Sequence, residues 1–371
     1  MIADALEITR LGQRALYSGD RATARERFAQ ALRLEPECAA ALAGLGDCHA
    51  LAGEHGQALQ KFDEALALDP QDAWIRNNRA LSLVAVGRIR ESWAESEVRF
   101  QLQEKTRKFW ERPPRPRWDG AVLPGRLAVL WEQGFGDMLQ HLRFLPLAAQ
   151  RTQGVAFVCP PPLQRLVSAS FPSVELLPPG KPIQWQAFSA CIALLSLPLV
   201  LGVDWPTLPS APYLTVPGAS QPGMRGIASV GIVWRSSAFD PVRNCPLEAT
   251  LALKACGVQL ASLQVGLSDE ERATLRAHGI ESHAGEDFYA TAEAMLPLKA
   301  VVSVDTAPAH LAGALGKRTL LLLNEPAAVR WMQELADTPW YPTMRLLRKR
   351  ASDPWEALIS RATTELNGIA A

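Results

Sequence analysis

A pattern of residues repeats with a period of 34 in the first third of the chain. A repeat of this length corresponds to one pair of packed helices, with small and aromatic residues at the contacts between them. Residues 1–110 are therefore predicted to form an all-α stack of about three helix pairs. The residue pairs separated by 34 positions are Gly12 and Gly46, Gly19 and Gly53, Ala24 and Ala58, Phe28 and Phe62, Ala31 and Ala65, and Pro36 and Pro70.

The third unit of the pattern is degenerate. It keeps Ala80 and Gly87, but three of its packing positions are changed. Its second helix is predicted to run on through residues 98–110, as in a capping repeat that docks on the next domain. The period is that of tetratricopeptide repeats, which are either an architectural spacer here or a surface that binds a peptide or protein partner. The changed residues are Ser92, Ser96 and Arg99.

A proline-rich segment separates the repeats from the rest of the chain. Residues 111–118, ERPPRPRW, place three prolines among arginines, and this excludes a continuing helix. A second domain is predicted from Trp118 to residue 216. A third domain is predicted over residues 228–371, after the Pro/Gly-rich join at 217–226.

Short apolar runs alternate with helical patterns in both of these domains. Strands alternating with helices indicate parallel sheets, and ligands of such sheets bind outside the carboxyl ends of the strands. Two units in tandem predict two Rossmann-like domains that face a cleft. Helices are predicted at 137–150 and 355–367. The predicted strands are 127–131, 154–158, 174–177, 191–195, 229–234, 258–265, 301–305 and 318–323.

Residues 301–317, VVSVDTAPAHLAGALGK, turn an apolar strand directly into a helix. The first N–H groups of a helix have no intrahelical partner and the dipole is positive there. A phosphate or pyrophosphate is therefore predicted to bind at residues 305–308, where Thr306 adds a hydroxyl. In the alternative interpretation Asp305 or Thr306 only caps the helix, and His310 is an ordinary helical residue.

The segment GFGD, residues 134–137, follows the first strand of the second domain. Gly134 and Gly136 permit a tight turn and a close approach of the backbone to a ligand. Asp137 then lies at the start of the next helix, where it is either a general base or only an N-cap. Two alternative side chains are near in sequence, and the second is expected to be a packing residue: Glu132 and His141.

These segments together resemble a known family. One set of segments is VDTAPAHLAGALGK, followed by LLLLN, RW and PWYPTMRLLR, and the other is WDG followed by WEQGFGDMLQHLRFLPLAA. Both sets are similar to segments of tetratricopeptide-repeat glycosyltransferases related to glycosyltransferase family nine, the heptosyltransferase group. The resemblance covers nearly the whole chain. It implies a GT-B fold and an inverting transfer of a sugar from a nucleotide-sugar donor to a protein or glycan acceptor.

The resemblance also implies roles for individual residues. Asp137 would be the base that takes the proton from the acceptor hydroxyl. No DxD motif occurs, which agrees with a metal-independent reaction in which helix N-termini and basic side chains stabilise the diphosphate. No cofactor is expected, because the nucleotide sugar is a substrate. The implied donor-binding residues are Asp305, Thr306, Ala307, His310, Gln264, Arg235 and Arg243.

Two departures from the family pattern fall near the expected donor pocket. Residues 235–237 are Arg-Ser-Ser where relatives carry a Gly/Asn-containing turn and a histidine, and Ala328-Val329 replace an Asp-Trp pair. The identities of the sugar and the base therefore stay open. The alternative function is a non-catalytic binding protein with a degenerate nucleotide-sugar pocket, and a GT-B epimerase is a third, weaker hypothesis.

Composition and charge argue against several other classes of protein. The chain has 371 residues and a formal net charge of zero, which argues against a whole-surface attraction to nucleic acid or to anionic membranes. Its six cysteines form no CxxC pair and no metal-ligand spacing, so free thiols in a reducing cytosol are expected. No signal peptide is evident, and the apolar run at 191–203 is too short to span a bilayer. A cytoplasmic protein without a transmembrane segment is predicted.

Overall fold

The computed structural model describes residues 2–217, 229–236, 241–333, 335–350 and 352–370. The chain divides into two compact units. The first unit comprises Met1–Pro113 together with Ala328–Glu334, and the second comprises Pro114–Ala327 together with Leu335–Ala371. Apart from its first residue, the predicted join at 217–226 lies outside the described residues.

The first unit is helical, as the repeat pattern predicts. Consecutive helices pack in pairs, α1 on α2, α3 on α4 and α5 on α6. The helices are α1 (Ile2–Tyr17), α2 (Arg21–Leu34), α3 (Ala39–Leu51), α4 (His55–Leu68), α5 (Ala73–Ala85), α6 (Ile89–Ser96), α7 (Arg99–Leu102) and α8 (Glu104–Glu111).

Close packing explains the 34-residue pattern. A Cβ atom on Gly12 would lie 2.8 Å from the ring of Phe28, and one on Gly46 would lie 2.5 Å from the ring of Phe62. Each buried phenylalanine ring of a second helix thus fills the notch that a glycine leaves in the first helix. Gly19 turns the chain between the two helices with φ of +84°, and the equivalent glycines of the other repeats also have positive φ.

The continuous helix predicted over residues 98–110 is wrong. Helix α6 ends at Ser96, and Gln103 separates α7 from α8 with an extended backbone (φ −124°, ψ 127°). The Phe100 ring lies 5.0 Å from the ring of Trp110, so the chain folds back on itself. Ser96 replaces the phenylalanine that anchors the second helix of the first two repeats, and this helix consequently stops early.

The second unit begins with a four-stranded parallel sheet in the order β3-β2-β1-β4. Leu127 of the central strand pairs with Val155 on one side and with Ala190 on the other. Its strands and helices are β1 (Leu123–Leu130), α9 (Phe135–His141), α10 (Leu145–Ala149), β2 (Thr152–Val158), α11 (Pro161–Ser170), β3 (Val174–Leu177), β4 (Ala190–Ala193) and α12 (Leu197–Val200).

A six-stranded parallel sheet follows, in the order β10-β9-β8-β5-β6-β7. Counted from its own first strand, this is the 3-2-1-4-5-6 order of Rossmann folds. Its elements are β5 (Ser229–Val233), α13 (Leu247–Leu251), β6 (Gln259–Ser262), α14 (Asp269–Ala277), β7 (Glu281–Ser282), α15 (Phe288–Met295), β8 (Ala300–Val304), α16 (Ala307–Ala314), β9 (Thr319–Asn324), β10 (Met344–Lys349) and α17 (Trp355–Ala370).

The predicted fold class, helical repeats followed by two parallel α/β sheets, is confirmed, but some elements differ. The helix predicted over 137–150 is interrupted by a 3₁₀ turn at Leu142–Phe144, because Pro146 at the start of α10 has no N–H for a continuous ladder. Strand β10 was missed. Among the described residues, no helix is both long and apolar enough to cross a bilayer.

The segment between β9 and β10 enters the first unit. Trp331 is buried there, the Gln333 N–H donates to the carbonyl oxygen of Ala85 (3.4 Å), and the Gln333 side chain donates to the carbonyl of Gly53. Ala328 and Val329, which the sequence placed near a donor pocket, therefore belong to the helical unit.

Candidate functional site

The predicted site residues of the α/β unit follow the carboxyl ends of central strands. The order of the second sheet reverses between β5 and β8, and the crevice at such a switch point is where open sheets bind ligands. Arg235 follows β5, Gln264 follows β6 and Asp305 follows β8. The same edge of the first sheet carries the Gly134–Asp137 turn, after β1.

The turn from β8 to α16 buries the carboxylate of Asp305, whose residue is 4% exposed. Thr306 occupies the N-cap position, but its side chain does not cap the helix. Its hydroxyl donates to the Val304 carbonyl oxygen (3.2 Å) and lies 3.1 Å from the hydroxyl of Ser303. The hydroxyl predicted to bind a ligand is thus already hydrogen-bonded within the turn.

Arg243 forms an ion pair with Asp305. Its Nη1 lies 3.1 Å from Asp305 Oδ2, and the arginine side chain is about one-third exposed, whereas the carboxylate is buried. Arg243 ends a 3₁₀ turn that Asn324 fixes by donating to the carbonyl of Val242 (2.6 Å). The pair places a partly exposed guanidinium beside the first turn of α16, where it could contact an anion.

His310, on the first turns of α16, is buried between two groups. Its Nδ1 lies 2.9 Å from the hydroxyl of Tyr341, and its Nε2 lies 3.8 Å from Asp305 Oδ1. Burial raises the pKa of Tyr341 well above its usual value of 10, so the phenol stays neutral. His310 is therefore part of a side-chain network and not an ordinary helical residue.

Asp137 lies in the first turn of α9 and not at the N-cap position of the alternative interpretation, which Gly134 occupies. Its side chain caps the helix start from there, because the N–H of Gly134 donates to Asp137 Oδ2 (3.3 Å). The side chain remains partly exposed, so capping leaves it accessible for a second role. The backbone just before this turn is strained, because Gln133 has φ of +63°, a conformation that costs energy for a non-glycine residue.

The two turns meet where α9 packs on α16. A Cβ atom on Gly136 would lie 2.9 Å from Cδ2 of His310 and 3.8 Å from the Cα of Ala307. Beside this contact, the Phe135 ring lies 5.2 Å from that of Phe288. The structure thus brings the GFGD and DTAPAH segments together, with only a glycine fitting at their closest approach.

We expect Gly136→Ala to destabilise the second unit by about 1–3 kcal/mol, the usual cost of overpacking a filled site. The imidazole of His310 is buried and lies 2.9 Å from the Tyr341 hydroxyl, so a shift of the ring would disturb that contact. Gly56→Ala is the matched control, because a Cβ there meets no atom within 4 Å. Denaturant midpoints of both variants test this, and equal stability of the two would show that the α9–α16 contact is loose.

Arg235 and Gln264 form a separate cluster. The Gln264 Oε1 accepts from the backbone N–H groups of Trp234 (3.2 Å) and Arg235 (2.9 Å). The Arg235 guanidinium binds both carboxylate oxygens of Glu271, at 3.2 and 3.0 Å. Arg235 is thus engaged by a carboxylate of α14. Ser237, part of the departure from the family pattern, lies outside the described residues.

Arg143 was not singled out from the sequence, yet it joins the two sheets. It is 2% exposed. Its guanidinium also lies over the rings of Tyr213 and Tyr341, at 4.7 and 4.8 Å. Its hydrogen bonds go to the carbonyl oxygens of Gln140 (2.8 Å), Pro209 (3.2 Å) and Trp340 (2.7 Å), and to the hydroxyl of Tyr213 (3.2 Å).

His141 is a packing residue, as the sequence suggested. Its Nδ1–H donates to the carbonyl of Asp137 (2.8 Å), and its ring lies against those of Phe144 and Trp340. Burial lowers the pKa of His141 to about 4, so it is neutral at physiological pH. Glu132 accepts from the Leu195 N–H (3.1 Å) and thereby links the ends of β1 and β4.

The described ranges contain no group of three or more histidine, cysteine or carboxylate side chains arranged to hold a metal ion.

Comparison with known proteins gives independent information on the helical repeats and on the α/β region. Residues 9–73 match the family model described as tetratricopeptide repeat. Protein FlbA of Caulobacter vibrioides is 26% identical in an alignment of 337 residues that covers 79% of this chain and 55% of that protein. The chain thus spans about half the length of this curated relative.

Several solved structures are similar over part of the chain. E. coli heptosyltransferase WaaC with ADP-2-deoxy-2-fluoro heptose is 14% identical, covering 66% of this chain and 100% of that one, with a TM-score of 0.47. E. coli ADP-heptose lps heptosyltransferase II is 17% identical, covering 66% and 98%, with a TM-score of 0.46. The Yersinia enterocolitica secretion chaperone SycD, bound to a peptide of YopD, is 21% identical, covering 29% and 83%, with a TM-score of 0.26.

The N-terminal helical region therefore matches tetratricopeptide repeats over residues 9–73, and two parallel α/β sheets follow it in one compact unit.

Proposed function

We propose that the chain is an inverting, metal-independent glycosyltransferase that moves a sugar from a nucleotide-sugar donor to a protein or glycan acceptor. The observation that carries this proposal is the packing of α9, which begins at the Asp137 turn, on α16, which begins beside the Asp305–Arg243 ion pair. In the proposed site, the base and the helix start that binds the diphosphate are therefore neighbours. The GFGD and DTAPAH segments resemble the corresponding motifs of heptosyltransferase-like enzymes.

The proposed reaction uses these residues in distinct roles. Asp137 takes the proton of the acceptor hydroxyl as its oxygen attacks the anomeric carbon, and the bond from that carbon to the diphosphate oxygen breaks. The N–H groups at the start of α16 and the guanidinium of Arg243 stabilise the departing diphosphate. Asp305 is buried and paired, so its role is to orient Arg243 rather than to contact the sugar.

A donor-binding experiment tests the proposal. A thermal-shift screen against a panel of nucleotide sugars is expected to identify one donor that stabilises the protein. We expect the stabilisation to persist in EDTA, because the proposed site uses no metal. Arg243→Gln should weaken binding of the corresponding nucleoside diphosphate by about 1.5–3 kcal/mol, the value of a hydrogen bond to a charged group. Arg345→Gln removes the same charge from edge strand β10 and serves as the control.

The outcomes separate the possible functions. Stabilisation that requires Mn²⁺ or Mg²⁺ would contradict metal independence. An absence of any stabilising nucleotide sugar would remove the donor site itself, together with the glycosyltransferase proposal.

A second candidate is a non-catalytic protein that binds a nucleotide sugar. Two observations favour it: Asp137 has a structural capping role, and Arg235 is engaged by Glu271. This candidate predicts donor binding without any transfer.

We further propose that the repeats bind the acceptor protein or another partner. Asp47 of α3 and Asn78 of α5 form a polar pair across neighbouring repeats, at 2.8 Å. Burial raises the pKa of Asp47 to about 6, so its carboxyl accepts hydrogen bonds at neutral pH and gains a proton to donate in mild acid. Such side chains suit an extended peptide, whereas a pure spacer does not need them.

A reducing compartment suits the cysteines. All six are buried free thiols, and burial raises the pKa of Cys159 and Cys245 to about 12. Because the thiolate is the reactive form, these side chains are inert. We propose that the protein acts in the cytoplasm.

A further inference from the structure

A series of buried polar side chains extends inward from the α16 turn. Arg143, Tyr341, His310 and Asp305 are 2%, 0%, 1% and 4% exposed. Neighbouring members are in contact: the tyrosine hydroxyl lies 2.9 Å from His310 Nδ1, and His310 Nε2 lies 3.8 Å from Asp305 Oδ1. The outermost member reaches Arg243, which is partly exposed.

The outer end of this series, at Asp305, determines whether the Nε2 atom of His310 carries a proton. The carboxylate of Asp305 forms an ion pair with a guanidinium 3.1 Å away, and carboxylate oxygens accept hydrogen bonds. A lone pair on His310 Nε2 would face this negative charge and be repelled at short range. An N–H at the same position is attracted, so the Nε2–H tautomer is favoured.

The inner end, at Tyr341, determines whether the Nδ1 atom of His310 donates or accepts a hydrogen bond. In the Nε2–H tautomer the Nδ1 atom is an acceptor, and the hydroxyl of Tyr341 is its donor. Arg143, which also neighbours that hydroxyl, has only donor groups. The hydroxyl of Tyr213 gives its own proton to the carbonyl of Leu139 (2.7 Å), and its oxygen already accepts from Arg143 Nη2 (3.2 Å). The proton of Tyr341 is therefore directed to His310.

We propose that Tyr341 is a positioning residue that fixes His310 as the Nε2–H tautomer and thereby holds the carboxylate of Asp305 in place for Arg243. The imidazole N–H and the guanidinium attract different oxygens of one carboxylate, Oδ1 and Oδ2. This arrangement sets the direction of the Arg243 side chain. Its consequence for diphosphate binding rests on the function proposed above.

The tautomer can be observed directly in the whole protein. ¹⁵N-histidine labelling with long-range ¹H–¹⁵N correlation distinguishes a protonated from an unprotonated ring nitrogen, and a His310→Gln variant assigns the signals. In the unmodified protein we expect His310 to carry its proton on Nε2 alone. In Tyr341→Phe we expect the two nitrogen resonances to move towards each other, as the two tautomers mix.

Tyr213→Phe is the matched control. It removes a second hydroxyl from the same buried cluster, one that bonds to Arg143 and Leu139. We expect it to leave the His310 resonances unchanged. A proton on Nδ1 in the unmodified protein, a doubly protonated ring, or unchanged resonances in Tyr341→Phe would each overturn the proposal. If Tyr341→Phe does not fold, the unmodified protein alone still decides the tautomer.

A second measurement concerns the ligand. With the nucleoside diphosphate found by thermal shift, Tyr341→Phe is expected to weaken binding roughly 2- to 10-fold, as for the loss of one neutral hydrogen bond. If no nucleotide binds to the unmodified protein, the proposed function fails, while the resonance result stands by itself. If the tautomer is correct but affinity is unchanged in Tyr341→Phe, the link to Arg243 is wrong.

Discussion

Asp137→Asn is expected to reduce the rate of sugar transfer by ~10²–10⁴, while donor binding stays within a few-fold, because a lost general base costs about this much. Asparagine keeps the shape of the side chain and can still accept the hydrogen bond from Gly134 N–H. It cannot take up a proton. Transfer rates with the identified donor, together with calorimetry of the free nucleoside diphosphate, measure the two effects separately.

The control is another capping aspartate. Asp72 accepts hydrogen bonds from the N–H groups of Trp74 (2.8 Å) and Ile75 (2.9 Å) at the start of α5. Asp72→Asn makes the same chemical change in the repeats, and we expect transfer to be unchanged. Unaltered turnover in Asp137→Asn would leave that residue with its capping role alone and favour the non-catalytic candidate.

Arg143→Met is expected to lower the free energy of unfolding by about 3–5 kcal/mol, since hydrogen bonds to a charged donor contribute ~1.5–3 kcal/mol each. Methionine fills much of the same volume but leaves four acceptors without their donor. Arg143→Lys should also destabilise the protein, because one ammonium cannot replace the planar fork of donors. Denaturant unfolding measures both variants.

Arg107→Lys provides the comparison for Arg143. This arginine pairs with Glu111 on the surface of α8, where both side chains are about half exposed. A change within about 0.5 kcal/mol is expected, as for most surface substitutions. If Arg143→Met were equally mild, the buried guanidinium would not be what joins the two sheets.

The parallel sheets were predictable because their strands are buried on both faces. Such strands appear as continuous apolar runs, and β5 and β8 are buried at every position. Strand β10 has the sequence MRLLRK, in which three basic residues interrupt the run. It lies at the edge of the sheet, where basic side chains remain acceptable. Its composition therefore did not indicate a buried strand.

The site was predictable where its chemistry depends on local sequence. Gly136 and Asp305 lie in turns after strands, and both turns carry recognisable motifs. Arg143 depends instead on residues 66 and 197 positions away, which nothing in its helical surroundings reveals. The partner of Arg235 is likewise on another helix, 36 residues further along. Which carboxylate pairs with each arginine depends on tertiary structure.

The glycine notches of the repeats limit how the helical unit of this chain can change in length. Each phenylalanine ring packs where particular glycines leave space. A single residue inserted inside a helix would therefore put a side chain where the ring must lie. Whole units of 34 residues preserve every notch. The stack of helices can thus grow or shrink only in steps of one repeat, whereas the turns, where no ring packs, can vary in length.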